Sequence, residues 1–272
     1  MEKTLGMRIA EARRNAGLTQ EQVAEKLGVS FQAVSSWERD EYSPETERLV
    51  KLSQVLGISL TYLAAGGDSG LDAKREIFDW EHQKTFVKVT AKRLGLTDTL
   101  KALDFAENAH RGQKRKNSDI PYIAHPLTVA CHCLAMGISE DTVIAACLLH
   151  DVIEDCGVTE NDLPVGDDAR RLVVLLTKGD ENGDRDAMLR EYFSGIASDP
   201  RAALIKCLDR CNNLTTMTWG LTRERQLRAV RETETYVLPL LQTVKDVPGY
   251  NDAAWLLRYQ IESMLDVYKR LL

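Results

Sequence analysis

Four residues able to hold a metal ion and move a proton sit in one short run, LLHDVIED: His150, Asp151, Glu154 and Asp155. At about 100° per residue they share one side of a helix, with Ala145, Ala146, Leu149, Val152 and Ile153 opposite. The apolar stretch VIAACLL leads directly into His150. It carries an imidazole and a carboxylate toward the interior, where a charge needs a partner, and a divalent cation is a good one. A surface helix with one polar side is the competing explanation, and the apolar lead-in argues against it.

Other segments supply matching groups. Asp209 falls within an apolar stripe of Leu204, Ile205, Leu208 and Leu214. His125 follows a loop carrying Lys114, Arg115 and Lys116. Three adjacent cations alone read as solvated surface; close before a histidine they point to an anionic ligand beside a metal. His125, His150, Asp151 and Asp209 thus offer nitrogen and oxygen ligands from three helical regions, a common way to build a metal site in a helical bundle.

The elements that must position these groups are helical throughout. Helices are expected over 100–110, 126–137, 167–176, 184–196 and 199–217. The metal-bearing helix is expected to be capped by Ser139 and ended by Gly157. Before them, 73–94 reads as a mixed-charge helix with Ile77, Trp80, Phe86 and Val87 as apolar points, fit to pack on the second domain or to join a dimer interface. Three glycines with Asp and Ser mark a linker at 65–72. The first 65 residues read as five short helices. Thr19 and Gln22 form a capping box, Gly28-Val29 a turn, and SFQAVSSWERD a third helix burying Ala33, Val34 and Trp37 and turning Phe31, Gln32, Ser35, Ser36 and Arg39 outward. The expected fold is all-α: a helix-turn-helix domain at 1–65, a linker and connecting helix at 66–96, and a larger helical domain at 97–272.

Composition narrows the function classes. The 272 residues are 44% hydrophobic with a formal charge of −6, so any nucleic-acid contact must come from a local patch. There is no leader pattern and no apolar run near about 18 residues, so a cytoplasmic protein without membrane contact is expected. The six cysteines are dispersed in helical patterns and fit reduced thiols.

Two resemblances follow. The segment LTQEQVAEKLGVSFQAVSSWERDEYSPETERLVKLSQVLGISLTYL resembles the Cro/phage-repressor type of helix-turn-helix over almost all of residues 5–65. This implies binding to operator DNA, with Gln20 on phosphate and Ser30, Phe31, Gln32, Ser35 and Ser36 facing the major groove. A homodimer would read half-sites about one helical turn apart. The motifs AHRGQKRKNSDIPYIAHPLTVA, AACLLHDVIEDCGVT, LVVLLTK, IKCLDRCNNLTTM and ETETYVLPL make residues 104–240 similar to the HD-domain hydrolase half of RelA/SpoT homologues, especially the stand-alone small alarmone hydrolases. That resemblance implies one divalent ion per chain, manganese, on His125, His150, Asp151 and Asp209. It implies that Glu154 and Asp155 orient or activate the attacking water, and that Arg115, Lys116, Asn213 and Thr216 hold the nucleotide.

The implied reaction is hydrolysis of the 3′-pyrophosphate of (p)ppGpp to pyrophosphate and GDP or GTP, with Lys178, and Arg185 or Arg190, adding positive charge. The loop NSDI, and Asn212-Asn213 where many members carry His-Asn, depart from the family pattern. No synthetase segment follows the hydrolase motifs, so synthesis is not expected. The alternatives are an adenosine-type alarmone as substrate, and a transcription regulator or antitoxin that senses an alarmone through the same pocket.

Overall fold

This computed structural model describes residues 3–58, 60, 63, 79–116, 118–179 and 184–272. The expected linker at 65–72, the start of the connecting segment at 73–78 and the loop positions 180–183 lie outside the described residues. So does the short helix expected at 59–64, apart from Leu60 and Leu63. Backbone contacts group the chain into two units, Met1–Ile77 and Phe78–Leu272. Among the described residues there is no strand, only an isolated bridge between Lys114 and Pro121. No described helix is long and apolar enough to cross a membrane.

In the first unit, α1 spans Leu5–Asn15, α2 Gln20–Leu27, α3 Phe31–Glu38 and α4 Thr46–Leu56. Thr19 and Gln22 form the reciprocal capping box that the sequence announces. Gly28 then takes a left-handed φ of 65°, which costs glycine nothing, and Ser30 caps α3 by accepting from the Ala33 N–H at 3.2 Å. Ile9, Val23, Val34, Trp37, Leu52 and Leu63 close the core. Gly6 is a packing requirement, because a β-carbon there would lie 2.5 Å from the carbonyl oxygen of Trp37.

The second unit holds α5 (Trp80–Leu94), α6 (Thr97–Ala109), α7 (Ala124–Ala135), α8 (Asp141–Leu149), α9 (Val152–Cys156) and α10 (Asp167–Leu176). These are followed by α11 (Arg185–Ala197), α12 (Pro200–Gly220), α13 (Arg223–Glu232), a π-helical turn (Thr233–Val237), α14 (Leu238–Lys245) and α15 (Asn251–Leu271). Helix α12 is central and packs on α7, α8, α10, α11, α14 and α15. Every residue of α8 from Val143 to Leu149 is buried, as expected of a helix that is apolar all round. In the connecting segment, α5 lies on α7 and buries Val87 and Ala91. Phe86, expected among its apolar anchors, is instead exposed, since it sits off the face carrying those two residues.

The metal-bearing helix differs most from expectation. It is two helices, with the break at the histidine and aspartate themselves: His150 ends α8, and Asp151 (φ −104°, ψ −7°) starts α9. Glu140, not Ser139, precedes the first helical residue, and it makes no side-chain cap. Gly157 ends α9 in a left-handed conformation, as the sequence suggested.

Candidate active site

Three helical regions deliver the polar groups to one buried place. His125 comes from the first turn of α7, His150 and Asp151 from the break after α8, and Asp209 from the middle of α12. His125, His150 and Asp209 are all buried. His125, His150 and Asp151 each offer one ligand atom within 4.8 Å of the others. Asp209 adds a fourth donor, its Oδ1 lying 3.2 Å from His125 Nε2 and 3.8 Å from His150 Nε2. Asp151 approaches the same two nitrogens at 3.4 and 3.2 Å.

The outer nitrogens of both rings are already committed. His125 Nδ1 donates to Asn212 Oδ1 at 2.6 Å, and His150 Nδ1 donates to the Cys147 carbonyl at 2.9 Å. A ring that carries its hydrogen on Nδ1 turns a bare Nε2 inward, the usual arrangement behind a metal-ligating histidine. With two carboxylate oxygens, this set fits a divalent cation of the nitrogen- and oxygen-binding kind. The charge balance agrees. Burial pushes the imidazole pKa values down, but Asp151 and Asp209 hold both above the ordinary value. Against their own burial, the two carboxyls are held well below theirs by the partners around them, His150 and His125 for Asp151, and Lys206 with both imidazoles for Asp209.

A cavity of about 690 Å³ opens beside this centre, with Arg115, Lys116, Asp155, Asn213 and Thr216 on its wall. The basic loop folds back on itself through the Arg115 N–H to Ile120 carbonyl bond (2.9 Å) and the Tyr122 N–H to Gln113 carbonyl bond (2.9 Å). That brings the Arg115 guanidinium across to α12, where it donates to Thr216 Oγ1 at 2.9 Å and Asn213 Oδ1 at 3.3 Å. Three residues named from the sequence therefore meet in space. Glu154 accepts the backbone N–H of Lys178 with one carboxylate oxygen. Burial of its carboxyl is the main reason its pKa is raised. Lys178 thus reaches the site through its main chain, and Arg185 donates to Glu232 at 3.4 Å.

Sequence reading missed two groups. Tyr122 donates its hydroxyl to Asp151 Oδ2 at 2.7 Å, stacks on His110 at 4.7 Å and lies 5.8 Å beneath the Arg115 guanidinium. Its place in PYIAHP, three residues before His125, was the available signal. Lys206 donates to Asp209 Oδ2 at 2.9 Å; it stands one turn ahead of Asp209 on α12.

On α3, Phe31, Gln32 and Ser30 are exposed and Ser36 is half-buried. Ser35 is not outward as expected. It is buried and accepts a 2.7 Å hydrogen bond from Arg39. Gln20 donates to Glu38 Oε2 at 2.7 Å, and Glu38 also takes a two-pronged bond from Arg13.

A helix-turn-helix family model fits residues 9–63, and an HD-domain model fits residues 102–238. The chain is 34% identical over 145 residues to a guanosine-3′,5′-bis(diphosphate) 3′-pyrophosphohydrolase of Aquifex aeolicus, covering 52% of this chain and 20% of that protein. It is 38% identical over 161 residues to a GTP pyrophosphokinase of Streptomyces coelicolor, covering 57% of this chain and 18% of that one. It therefore spans about a fifth of the length of these curated relatives. A solved structure described as a metazoan ortholog of SpoT that hydrolyzes ppGpp superposes with a TM-score of 0.51 at 25% identity, covering 62% of this chain and 94% of that one. With the HD-domain match extending over half the sequence and its histidines and aspartates gathered at one centre, this chain belongs to the HD-domain family and carries a helix-turn-helix unit ahead of that domain.

Proposed function

We propose that the chain is a manganese-dependent (p)ppGpp 3′-pyrophosphohydrolase joined to a DNA-binding module. The observation that carries this reading is the convergence of two imidazole Nε2 atoms and two carboxylates beside a cavity walled by cations. A divalent ion held by His125, His150, Asp151 and Asp209 supplies a Lewis acid that lowers the pKa of water and offsets charge on a phosphoryl oxygen.

The protein's own groups do the rest. Asp155 stands on the cavity wall and Glu154 immediately before it, so either carboxylate can take the proton of the attacking water. Tyr122 holds Asp151 in place by its hydroxyl. Lys116 and Arg115 bring positive charge to the nucleotide, and Asn213 and Thr216 orient Arg115. Water adds to the phosphorus that bears the 3′ oxygen, the bond to that oxygen breaks, and the oxygen takes up a proton to become the 3′-hydroxyl of GDP or GTP as pyrophosphate is released. In the first unit, Ser30, Phe31 and Gln32, which are exposed, and Ser36, which is half-buried, would meet the major groove of operator DNA.

Incubation of the purified chain with Mn²⁺ and ppGpp is the direct test. Stoichiometric pyrophosphate and GDP support the reading, and a folded, metal-loaded protein that releases neither overturns it. A parallel panel with adenosine alarmones decides the base.

A further inference from the structure

We propose that Lys206 is a phosphate-contacting catalytic residue: its ammonium, anchored on Asp209, donates to the pyrophosphate group that the site cleaves. The inference rests on the phosphohydrolase reading above.

The first argument is donor capacity. An ammonium has three N–H groups. Lys206 donates to Asp209 Oδ2 at 2.9 Å, and the Tyr192 side chain engages it as well, with its ring centred 5.5 Å away. The ring is itself fixed, since the Tyr192 hydroxyl donates to the Leu176 carbonyl at 2.6 Å. A half-buried cation with an N–H left over and a rigid support is prepared for an anion, because leaving such a donor unmatched is costly.

Position is the second. Lys206 shares the cavity wall with Asp155 and Asp209, so it borders both the place for nucleotide and the metal centre. Asp209 connects the two, with Oδ2 on Lys206 while Oδ1 faces His125 Nε2 at 3.2 Å and accepts from Asn213 Nδ2 at 2.5 Å. Of the other cations on this wall, Lys114 lies on Asp119, Arg115 on Thr216 and Asn213, and Arg210 on Glu232 at 2.5 Å, while Lys116 belongs to the basic loop assigned above to the nucleotide.

Charge is the third. Asp151, Glu154, Asp155 and Asp209 outweigh one divalent ion, and a pyrophosphate group brings further negative charge to the same place. Lys206 is the side-chain cation hydrogen-bonded within that carboxylate cluster. It offsets charge on the phosphoryl oxygens under attack, and a fixed donor there costs no reorganisation during the reaction.

Calorimetric titration of inorganic pyrophosphate into the Mn²⁺-loaded full chain tests this without requiring turnover. Lys206→Gln should weaken pyrophosphate binding about ten- to hundredfold while leaving Mn²⁺ and GDP affinity unchanged. Its kcat on ppGpp should fall about 10²- to 10³-fold, with Lys206→Arg recovering part of the loss. Unchanged pyrophosphate affinity overturns the proposal. Loss of Mn²⁺ binding in step with activity also overturns it, since Lys206 would then only support Asp209.

A second measurement uses the unsubstituted protein, so folding of the variants is not needed. The nitrogen-15 signal of the Lys206 ammonium should shift on adding pyrophosphate, and a signal that stays in place overturns the assignment. If wild-type protein binds pyrophosphate through Lys206 yet releases none from ppGpp, the substrate reading fails and the assignment of Lys206 stands.

Discussion

His125 Nε2 and His150 Nε2 face each other at 3.2 Å, while the Nδ1 of each ring is tied to an oxygen behind it. Two lone pairs cannot remain so close inside a protein without a cation or a proton between them. Without metal, the stabilising protons are those held by imidazoles whose pKa values Asp151 and Asp209 raise against burial. Raised folded-state values give stability that is full below the unfolded pKa, near 6.5, and is lost as pH rises through the folded values. Metal-free protein should therefore melt at progressively lower temperature as the pH is raised above neutrality. Mn²⁺ at about a hundred times its Kd should restore roughly 2.7 kcal/mol. Scanning fluorimetry with and without chelator checks both; a metal-free melting temperature that does not fall with pH contradicts the first.

The break between α8 and α9 divides the labour of four adjacent residues. His150→Ala removes a ligand and should abolish metal binding and turnover together. Glu154→Gln should keep the metal, because Glu154 points to Lys178, and should lower kcat by about 10²- to 10⁴-fold if it handles the water's proton. Burial raises the Glu154 pKa above its ordinary value, so its charged form costs stability once the pH exceeds the folded value. The same Gln variant should then melt above wild type at pH 8. Metal analysis, kinetics and melting on one preparation decide the three outcomes.

How far the sequence foretold this site depends on the kind of residue. His150, Asp151 and Asp209 were legible because a charged group inside an apolar run has few explanations. The capping box at Thr19 and Gln22 was legible because its two hydrogen bonds are local. The break at His150 was not, since apolar residues continue on both sides and helical periodicity does not register a turn at one peptide. Tyr122 and Lys206 escaped for another reason. Tyr122 takes its role from Asp151 and Arg115 on other segments, and Lys206, though bonded to Asp209 one turn on, reads in sequence like any helical lysine until Tyr192 and the cavity are placed beside it. Ser35 failed as an outward residue because Arg39, four positions on, folds over it.

Arg115 spans the cavity with its guanidinium on Thr216 and Asn213. Arg115→Ala should raise KM for ppGpp about tenfold or more through a lost charged hydrogen bond, with a smaller change in kcat. Arg115→Lys should recover little, because an ammonium does not reproduce the planar fork. A kcat loss equal to the loss in kcat/KM would instead place Arg115 at the reacting phosphate.

In the first unit, Glu38 joins three helices: α1 through Arg13 at 2.6 and 3.0 Å, α2 through Gln20 at 2.7 Å, and its own α3. The pair with Arg13 is nearly closed to water, with side-chain exposures of 16% and 7%. Removing one partner of such a pair leaves the other charge buried, at about 3–5 kcal/mol. Glu38→Ala should therefore speed hydrogen exchange across α1, α2 and α3 while leaving α8 and α12 protected, because those helices belong to a unit with its own core. Operator binding should fall with the fold of α3, and hydrolase activity should persist. Exchange that quickened equally in α8 and α12 would show that the two units unfold together, and the helix-turn-helix unit could not then be treated as an independent module.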